Sequence, residues 1–176
     1  MNAPYRLLGP ADRMRWWQAQ VERVVPAIVT LVLVAGMTAP IFASMPILPH
    51  LGLLGVFVWS TFQPGLMPPW LAFVIGVACD ILFGLPLGVN ATLLPSVALF
   101  VRLVEARYGT HRYGFDWLLA SGVIVGFELC QWWLLALAGT HGPLTPLLVQ
   151  AGTTILAYPP IVMLFASIQR RLQAAR

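Results

Sequence analysis

All ten basic residues of this 176-residue chain are arginines, and they fall into three clusters separated by long apolar stretches. The clusters are Arg6, Arg13, Arg15 and Arg23; Arg102, Arg107 and Arg112; and Arg170, Arg171 and Arg176. Only 9% of the residues are charged and 59% are hydrophobic, whereas about a quarter of a soluble domain is charged. Because so few charges cannot cover a surface in water, the pattern predicts an all-α polytopic membrane protein.

Six apolar stretches account for most of the chain. A helix needs about 20 apolar residues to cross a bilayer, and each stretch comes close to that length. They are residues 24–44, 47–62, 66–83, 89–104, 117–137 and 144–168. We therefore predict a six-helix transmembrane domain over 24–168, between a basic amphipathic tail at 1–23 and a basic tail at 169–176.

The arginine clusters also predict the orientation of the helices. The predicted connections are residues 45–46, 63–65, 84–88, 102–116 and 138–143. With six crossings, all three clusters lie on one side of the membrane, whereas an odd number would divide them. Since positive loops stay inside, both termini are expected in the cytoplasm, and the connections on the outer side are short and uncharged.

The residues that usually carry chemistry form no catalytic or metal-binding pattern. His50, His111 and His141 are scattered along the chain, and Cys79 and Cys130 lie in apolar stretches, where small buried hydrophobic residues are expected. No basic stripe interleaved with aromatic residues suits a nucleic acid. The sequence therefore predicts a non-enzymatic protein in a lipid bilayer, with no cofactor and no nucleic-acid partner.

Asp80 is one of two acidic residues inside the predicted helices. An acidic side chain at mid-bilayer costs about 2.5–3.5 kcal/mol on insertion scales, so it is expected to face protein or water. Gly76, Asp80 and Gly84 share one helix face, and small residues let another backbone approach. The carboxylate could bond the backbone of the 84–88 turn, or Asn90. We interpret this as a clasp between two helices; an ion or substrate site is the alternative.

Glu128, the second such acid, lies near the middle of the fifth predicted helix and is followed by Gln131. No arginine lies at that depth, so an uncharged Glu128 is expected. It would share hydrogen bonds with Gln150, Thr153 or Thr154, or with a helix of a partner. A proton relay, the alternative, would need a second titratable group at the same depth.

The third stretch and its turn carry a motif that resembles a known family. It reads G-x-x-x-D-x-x-F-G-x-P-L-G and comprises Gly76, Asp80, Phe83, Gly84, Pro86, Leu87 and Gly88. Together with the preceding Pro68–Pro69–Trp70 and the layout of helices and basic segments, it resembles the MreD family of bacterial rod shape-determining proteins. The long N-terminal tail departs from a typical member.

The resemblance implies a non-enzymatic inner-membrane subunit of the cell-elongation machinery, which builds peptidoglycan. The implied partners are MreC, the actin-like MreB, the glycosyltransferase RodA and a class B penicillin-binding protein. The implied fold is similar to the substrate-binding subunits of energy-coupling-factor transporters. The competing hypothesis is a small-molecule binding subunit of a transporter, for which Asp80, Asn90, His50 and His141 would line an outer site.

Overall fold

The computed structural model describes residues 27–36, 48–108, 113–139 and 142–174, and all six elements in this part are helices. They are α1 (Ala27–Gly36), α2 (Leu51–Phe62), α3 (Pro69–Phe83), α4 (Val89–Tyr108), α5 (Tyr113–Leu137) and α6 (Leu144–Ala174). The predicted all-α class is confirmed. The predicted tail at 1–23 and the connection at 45–46 lie outside the described residues, and α6 includes most of residues 169–176.

Three of the helices are long and apolar enough to cross a membrane, over Val89–Arg107, Asp116–Leu137 and Leu144–Met163. The other three are apolar but shorter, with α3 the longest of them at 15 residues. At a rise of 1.5 Å per residue, α3 extends about 22 Å, short of the roughly 30 Å hydrocarbon layer. The lengths thus establish a membrane protein and three candidate crossings.

The second and third helices begin later than the sequence predicted because local chemistry determines their first turns. His50 caps α2, since its Nδ1 accepts a hydrogen bond from the N–H of Leu53 at 3.1 Å. Pro69 begins α3, where its missing N–H costs nothing and its fixed φ suits a helix. The predicted ends at Phe62 and Phe83 are correct.

The largest difference from the prediction concerns the central connection. Residues 102–116 were expected to form a loop, but α4 continues to Tyr108 and α5 begins at Tyr113. Charge suggested a helix end there, yet residues 102–108 contain no glycine or proline and include several good helix formers. The connection is therefore much shorter, and residues 109–112 lie outside the described part of the chain.

The helices pack around α4, which contacts α2, α3 and α5, while α6 packs against α5 and α2. Fully buried side chains such as Leu53, Phe57, Ile75 and Leu94 form the core. The outside is equally apolar: Leu118, Leu156 and Met163 are each more than 70% exposed. A helix bundle with an apolar core and an apolar exterior suits lipid as its solvent.

The contact between α1 and α2 depends on two glycines that sequence analysis did not single out. A Cβ added at Gly55 would lie 2.6 Å from the side chain of Thr30, and one at Gly52 would lie 3.3 Å from Val34. The same Cβ at Gly52 would lie 3.2 Å from Sγ of Cys79 on α3. Small residues thus allow α2 to pack closely against both neighbouring helices.

Aromatic rings join α2 to α6. Phe57 meets Tyr158 edge to face with ring centroids 5.6 Å apart, and Trp59 meets Phe165 in the same way at 4.7 Å. Edge-to-face pairs at these distances are favourable beyond the area they bury. The α5–α6 pair is therefore attached to the rest of the bundle along α2 as well as along α4.

Candidate functional site

The turn between α3 and α4 begins with a left-handed glycine. Gly84 has φ +63°, and the next residue, Leu85, donates its N–H to the carbonyl of Asp80 at 2.9 Å. The N–H of Gly84 points back to the carbonyl of Ile81 at 3.4 Å. This pair of bonds is a Schellman ending, which satisfies the last carbonyls of α3.

The first turn of α4 lacks a cap of its own. Gly88 lies just before α4, and its carbonyl accepts the first helical hydrogen bond, from the N–H of Thr92 at 3.0 Å. A capping side chain normally accepts from the free N–H groups that follow this position. Gly88 has no side chain, so these donors need an acceptor from elsewhere in the fold.

Asp80 on α3 supplies that acceptor. Its Oδ2 accepts from the N–H of Gly88 at 2.9 Å and of Ala91 at 3.3 Å, and its Oδ1 accepts from the N–H of Asn90 at 2.8 Å. The side chain has no solvent exposure. An anion is favoured at a helix N-terminus because the free N–H groups and the helix dipole both attract it. One carboxylate thus joins the end of α3 to the start of α4.

Gly76, one turn before Asp80 on the same face, lets the two helices approach. A Cβ added to it would lie 2.4 Å from the carbonyl oxygen of Asn90 and 2.6 Å from Cα of Ala91. Both atoms belong to the backbone of α4, so they cannot move aside by a rotamer change. Even the smallest side chain at this position would push α4 away from the carboxylate.

Gly84 has a different role from the one its position on the helix suggested. Its place on the face of Gly76 and Asp80 predicted that it permits close helix approach, but nothing lies within 4 Å of a Cβ added there. That expectation was wrong, because Gly84 lies after the last residue of α3. Its positive φ lets the chain leave the helix and enter the turn. Gly88, with φ +113° and equally open surroundings, serves the turn in the same way.

Of the other motif residues, one takes part in the hydrogen bonds of the turn and two have exposed side chains. The carbonyl of Pro86 accepts from the N–H of Val89 at 3.4 Å, within the turn. Leu87 is 73% exposed and Phe83 is 38% exposed. The glycines and Asp80 therefore form the turn, while two apolar side chains at its surface are free to meet lipid or another protein.

The backbone role of Gly84 predicts how substitutions there should rank. We expect Gly84→Val to destabilise the protein by about 1–2 kcal/mol, because a β-branched residue resists the left-handed region. Gly84→Asn adds a Cβ in the same open space but tolerates that region, so it should cost clearly less. Thermal melting in mild detergent measures both. Equal losses for the two variants would show that space, rather than φ, requires the glycine.

Glu128 on α5 is buried, with 1% exposure. Among the residues that the structure describes, none hydrogen-bonds to its Oε1 or to Oε1 of Gln131. The α6 partners expected from the sequence are used differently: the hydroxyls of Thr153 and Thr154 both donate to the carbonyl of Gln150. Burial of Glu128 is as expected for an intramembrane acid, but these threonines do not supply its missing bond.

His50 is a structural residue on three counts. Besides capping α2, it donates its own N–H to the hydroxyl of Thr154 at 2.9 Å, and its ring meets Phe127 edge to face at 5.0 Å. The residue is 5% exposed. His50 thus joins α2 to α5 and α6. His111 and His141 lie outside the described residues.

Arg102 holds the opposite end of the α3–α4 hairpin, a role that sequence analysis missed. Its Nη2 donates to the carbonyls of Pro64 and Met67, the latter at 3.0 Å, in the connection between α2 and α3. Arg102 follows Gly88 by 14 residues, about 20 Å along α4. From the sequence, Arg102 was interpreted only as a positive charge that helps to set the orientation in the membrane. Its hydrogen bonds could not be predicted, because the carbonyl partners are distant in sequence.

Replacement of the Arg102 guanidinium group by an uncharged side chain tests these hydrogen bonds. We expect Arg102→Met to lower stability by about 1.5–3 kcal/mol, the usual worth of hydrogen bonds to a charged group. Arg107→Met removes the same charge from an exposed position on the same helix and should change the melting temperature little. If both substitutions had the same effect, the charge itself, and not the bonds to the turn, would be responsible.

The two cysteines differ in their surroundings. Cys79 is buried, as expected, whereas Cys130 is exposed, contrary to the expectation, and both thiols are free. The apolar stretch gave no sign of which face of α5 carries Cys130. Within the described ranges no three histidine, cysteine, aspartate or glutamate side chains gather into a group that could hold a metal ion.

Comparison with known proteins gives one match. The family model described as rod shape-determining protein MreD matches residues 18–165, which is most of the chain. Searches among curated proteins and among solved structures give no match. The matched range includes the whole α3–α4 hairpin with its motif.

Proposed function

This chain belongs to the MreD family of rod shape-determining proteins, and from that we propose that it is a non-enzymatic subunit of the bacterial cell-elongation machinery in the inner membrane. The family match over 18–165 carries the proposal. In this role the protein supports peptidoglycan synthesis by holding other membrane proteins together.

The hydrogen bonds of the polar side chains near the α3–α4 turn favour a scaffold function and not the binding of a small molecule. A small-molecule site there would need Asp80 and His50 to be available. The carboxylate of Asp80 already accepts three backbone hydrogen bonds. Nδ1 of His50 accepts from the N–H of Leu53. Both side chains are therefore used to hold helices in place.

The proposal includes six membrane crossings with both termini in the cytoplasm. The spacing of the three arginine clusters supports it, because six crossings would put all ten arginines on the side where positive loops stay. Three shorter apolar helices in addition to the three long ones also support it. A bundle similar to the substrate-binding subunits of energy-coupling-factor transporters is part of the same proposal. Labelling of single cysteines in intact cells, at residue 2 and in the 84–88 turn, would test the orientation.

The partners that we propose are MreC, MreB, RodA and a class B penicillin-binding protein. The exposed part of the motif supports a contact surface near the α3–α4 turn, because Leu87 and Phe83 are not needed to fill the core. Such side chains can be removed without opening a cavity. Their loss should therefore weaken partner binding more than folding.

Purification from native membranes in a gentle detergent, with mass spectrometry of the proteins that co-elute, tests the function. Elongation proteins should be recovered with the native chain, and fewer with the double variant Phe83→Ala, Leu87→Ala. Leu103→Ala, which truncates a side chain 70% exposed on α4, is the control. Recovery of ATPase subunits or a bound small molecule in place of elongation proteins would support a transporter instead.

A further inference from the structure

The two connections that flank α3 mark the edges of the hydrocarbon layer beside it. Before α3, Pro64 and Gly65 are exposed, and after it Gly84 and Leu87 are exposed. Irregular backbone does not occur in contact with lipid hydrocarbon, because lipid offers its N–H and C=O groups no hydrogen bonds. Both connections must therefore lie at or beyond the edges of the layer, with α3 between them.

Two side chains mark the edge where α3 begins. The guanidinium of Arg102 on α4 donates to the carbonyls of Pro64 and Met67, so it lies at the level of this connection. A charged group is far less costly at the membrane edge than inside the hydrocarbon. Trp70, the second residue of α3, is 66% exposed, and exposed tryptophans gather at membrane interfaces. Charge, ring and backbone therefore place the edge at the same level.

The distance between the two edges is shorter than an ordinary bilayer requires. The 15 residues of α3 extend about 22 Å, and the 14 residues from Gly88 to Arg102 extend about 20 Å along α4. An ordinary hydrocarbon layer is about 30 Å thick. The hairpin cannot lengthen, because Gly84 ends α3 and Asp80 and Arg102 fasten α4 beside it.

The α5–α6 pair has the length that α3 lacks. Its apolar stretches, Asp116–Leu137 and Leu144–Met163, have 22 and 20 residues and extend about 33 and 30 Å. α3 packs against α4 and α2, whereas α5 and α6 pack against each other. Tilting reduces the depth that a helix spans, so it accommodates a long helix and not a short one. The two parts of the bundle thus require layers of different thickness.

The exposed side of α3 is suited to acyl chains along its whole length. Trp70, Phe73, Val74 and Ile81 lie on it and are 49–67% exposed; we call these four residues the α3 face. The one charged residue of α3, Asp80, is buried and bonded to the turn. The α3 face therefore offers no charge to a protein partner, and its length matches a thin layer of lipid.

We propose that the α3 face binds lipid in a locally thinned bilayer, with a hydrocarbon layer about 22 Å thick, as the length of α3 requires. The α5–α6 pair meets a layer of ordinary thickness. Lipids with short acyl chains are preferred at the α3 face, and in a uniform membrane the bilayer is deformed on that side of the protein alone.

Val74→Cys and Val125→Cys form a matched pair that tests this preference, since both valines are exposed near the middle of their helices, α3 and α5. The purified full-length protein also carries Cys130→Ser, while buried Cys79 remains unlabelled. Each new cysteine receives a bimane label in bilayers that mix dimyristoleoyl and dierucoyl phosphatidylcholine. A nitroxide on the chains of one lipid or the other quenches the label where that lipid is adjacent.

Short-chain lipid should be favoured about threefold or more at residue 74, and not at residue 125. The same preference at both positions, or none at residue 74, would overturn the proposal. So would a label at residue 74 that neither lipid quenches, because a second copy of the chain would then cover the α3 face. Phe73→Cys and Leu129→Cys, 49% and 48% exposed in the native chain, form a second pair that should give the same difference.

Discussion

Replacement of Asp80 by leucine should cause one of the two largest losses of stability in this protein, about 4 kcal/mol or more. Three N–H groups, of Gly88, Asn90 and Ala91, would lose their acceptor. A buried donor left without a partner costs about 1–3 kcal/mol, and lipid offers no replacement. The measurement is the melting temperature and the yield of monodisperse protein in mild detergent.

Asp80→Asn is the matched control for this substitution. The amide keeps the shape of the side chain and one acceptor oxygen, but it loses the negative charge and places an NH₂ group near backbone donors. We expect it to lose about half as much stability as the leucine variant, since charge-assisted bonds are roughly twice as strong as neutral ones. Equal losses for the two variants would mean that the carboxylate does not act by hydrogen bonding to the turn.

Gly76→Ala should cause the other large loss. The added Cβ would lie 2.4 Å from the carbonyl oxygen of Asn90 and 2.6 Å from Cα of Ala91, so α4 must move away from α3. Overpacking of this kind costs about 1–3 kcal/mol, and occasionally more. The shift would also stretch the bonds of Asp80, so the melting temperature should fall even though alanine favours a helix. Gly76→Leu should prevent folding.

Gly122→Ala is the matched control, because it makes the same chemical change inside α5 with nothing within 4 Å of the new Cβ. It should raise stability by up to about 1 kcal/mol through helix propensity alone. The two substitutions are therefore expected to have opposite signs. If both stabilised the protein, α3 and α4 would not be in close contact at Gly76.

These predictions describe one rigid unit. The α3–α4 hairpin is fastened at its turn by Asp80 and, about 20 Å away along α4, by Arg102. Phe83 is the last residue of α3 and Leu87 lies in the turn that follows it. A scaffold that presents apolar side chains to a partner benefits from such rigidity, because less conformational freedom is lost on binding.

Features that depend on local chemistry could be predicted from the amino-acid sequence. Low charge and long apolar stretches established a helical membrane protein, and glycine and proline placed the 84–88 turn correctly because they act through their own dihedral angles. The position of Asp80, four residues before that turn, indicated that its side chain could reach the turn backbone or Asn90. The motif around this turn also indicated the family.

Which residues face one another could be seen only once the helices were packed. Gly76 and Gly84 look equivalent on a helical face, yet one lies against the backbone of α4 and the other is open. Arg102 reaches carbonyls 35 and 38 residues away in sequence. In a chain so uniformly apolar, every helix face is suited to lipid and to a neighbouring helix alike, so periodicity cannot say which face is packed. Contacts made by backbone atoms and by distant side chains resolve that ambiguity.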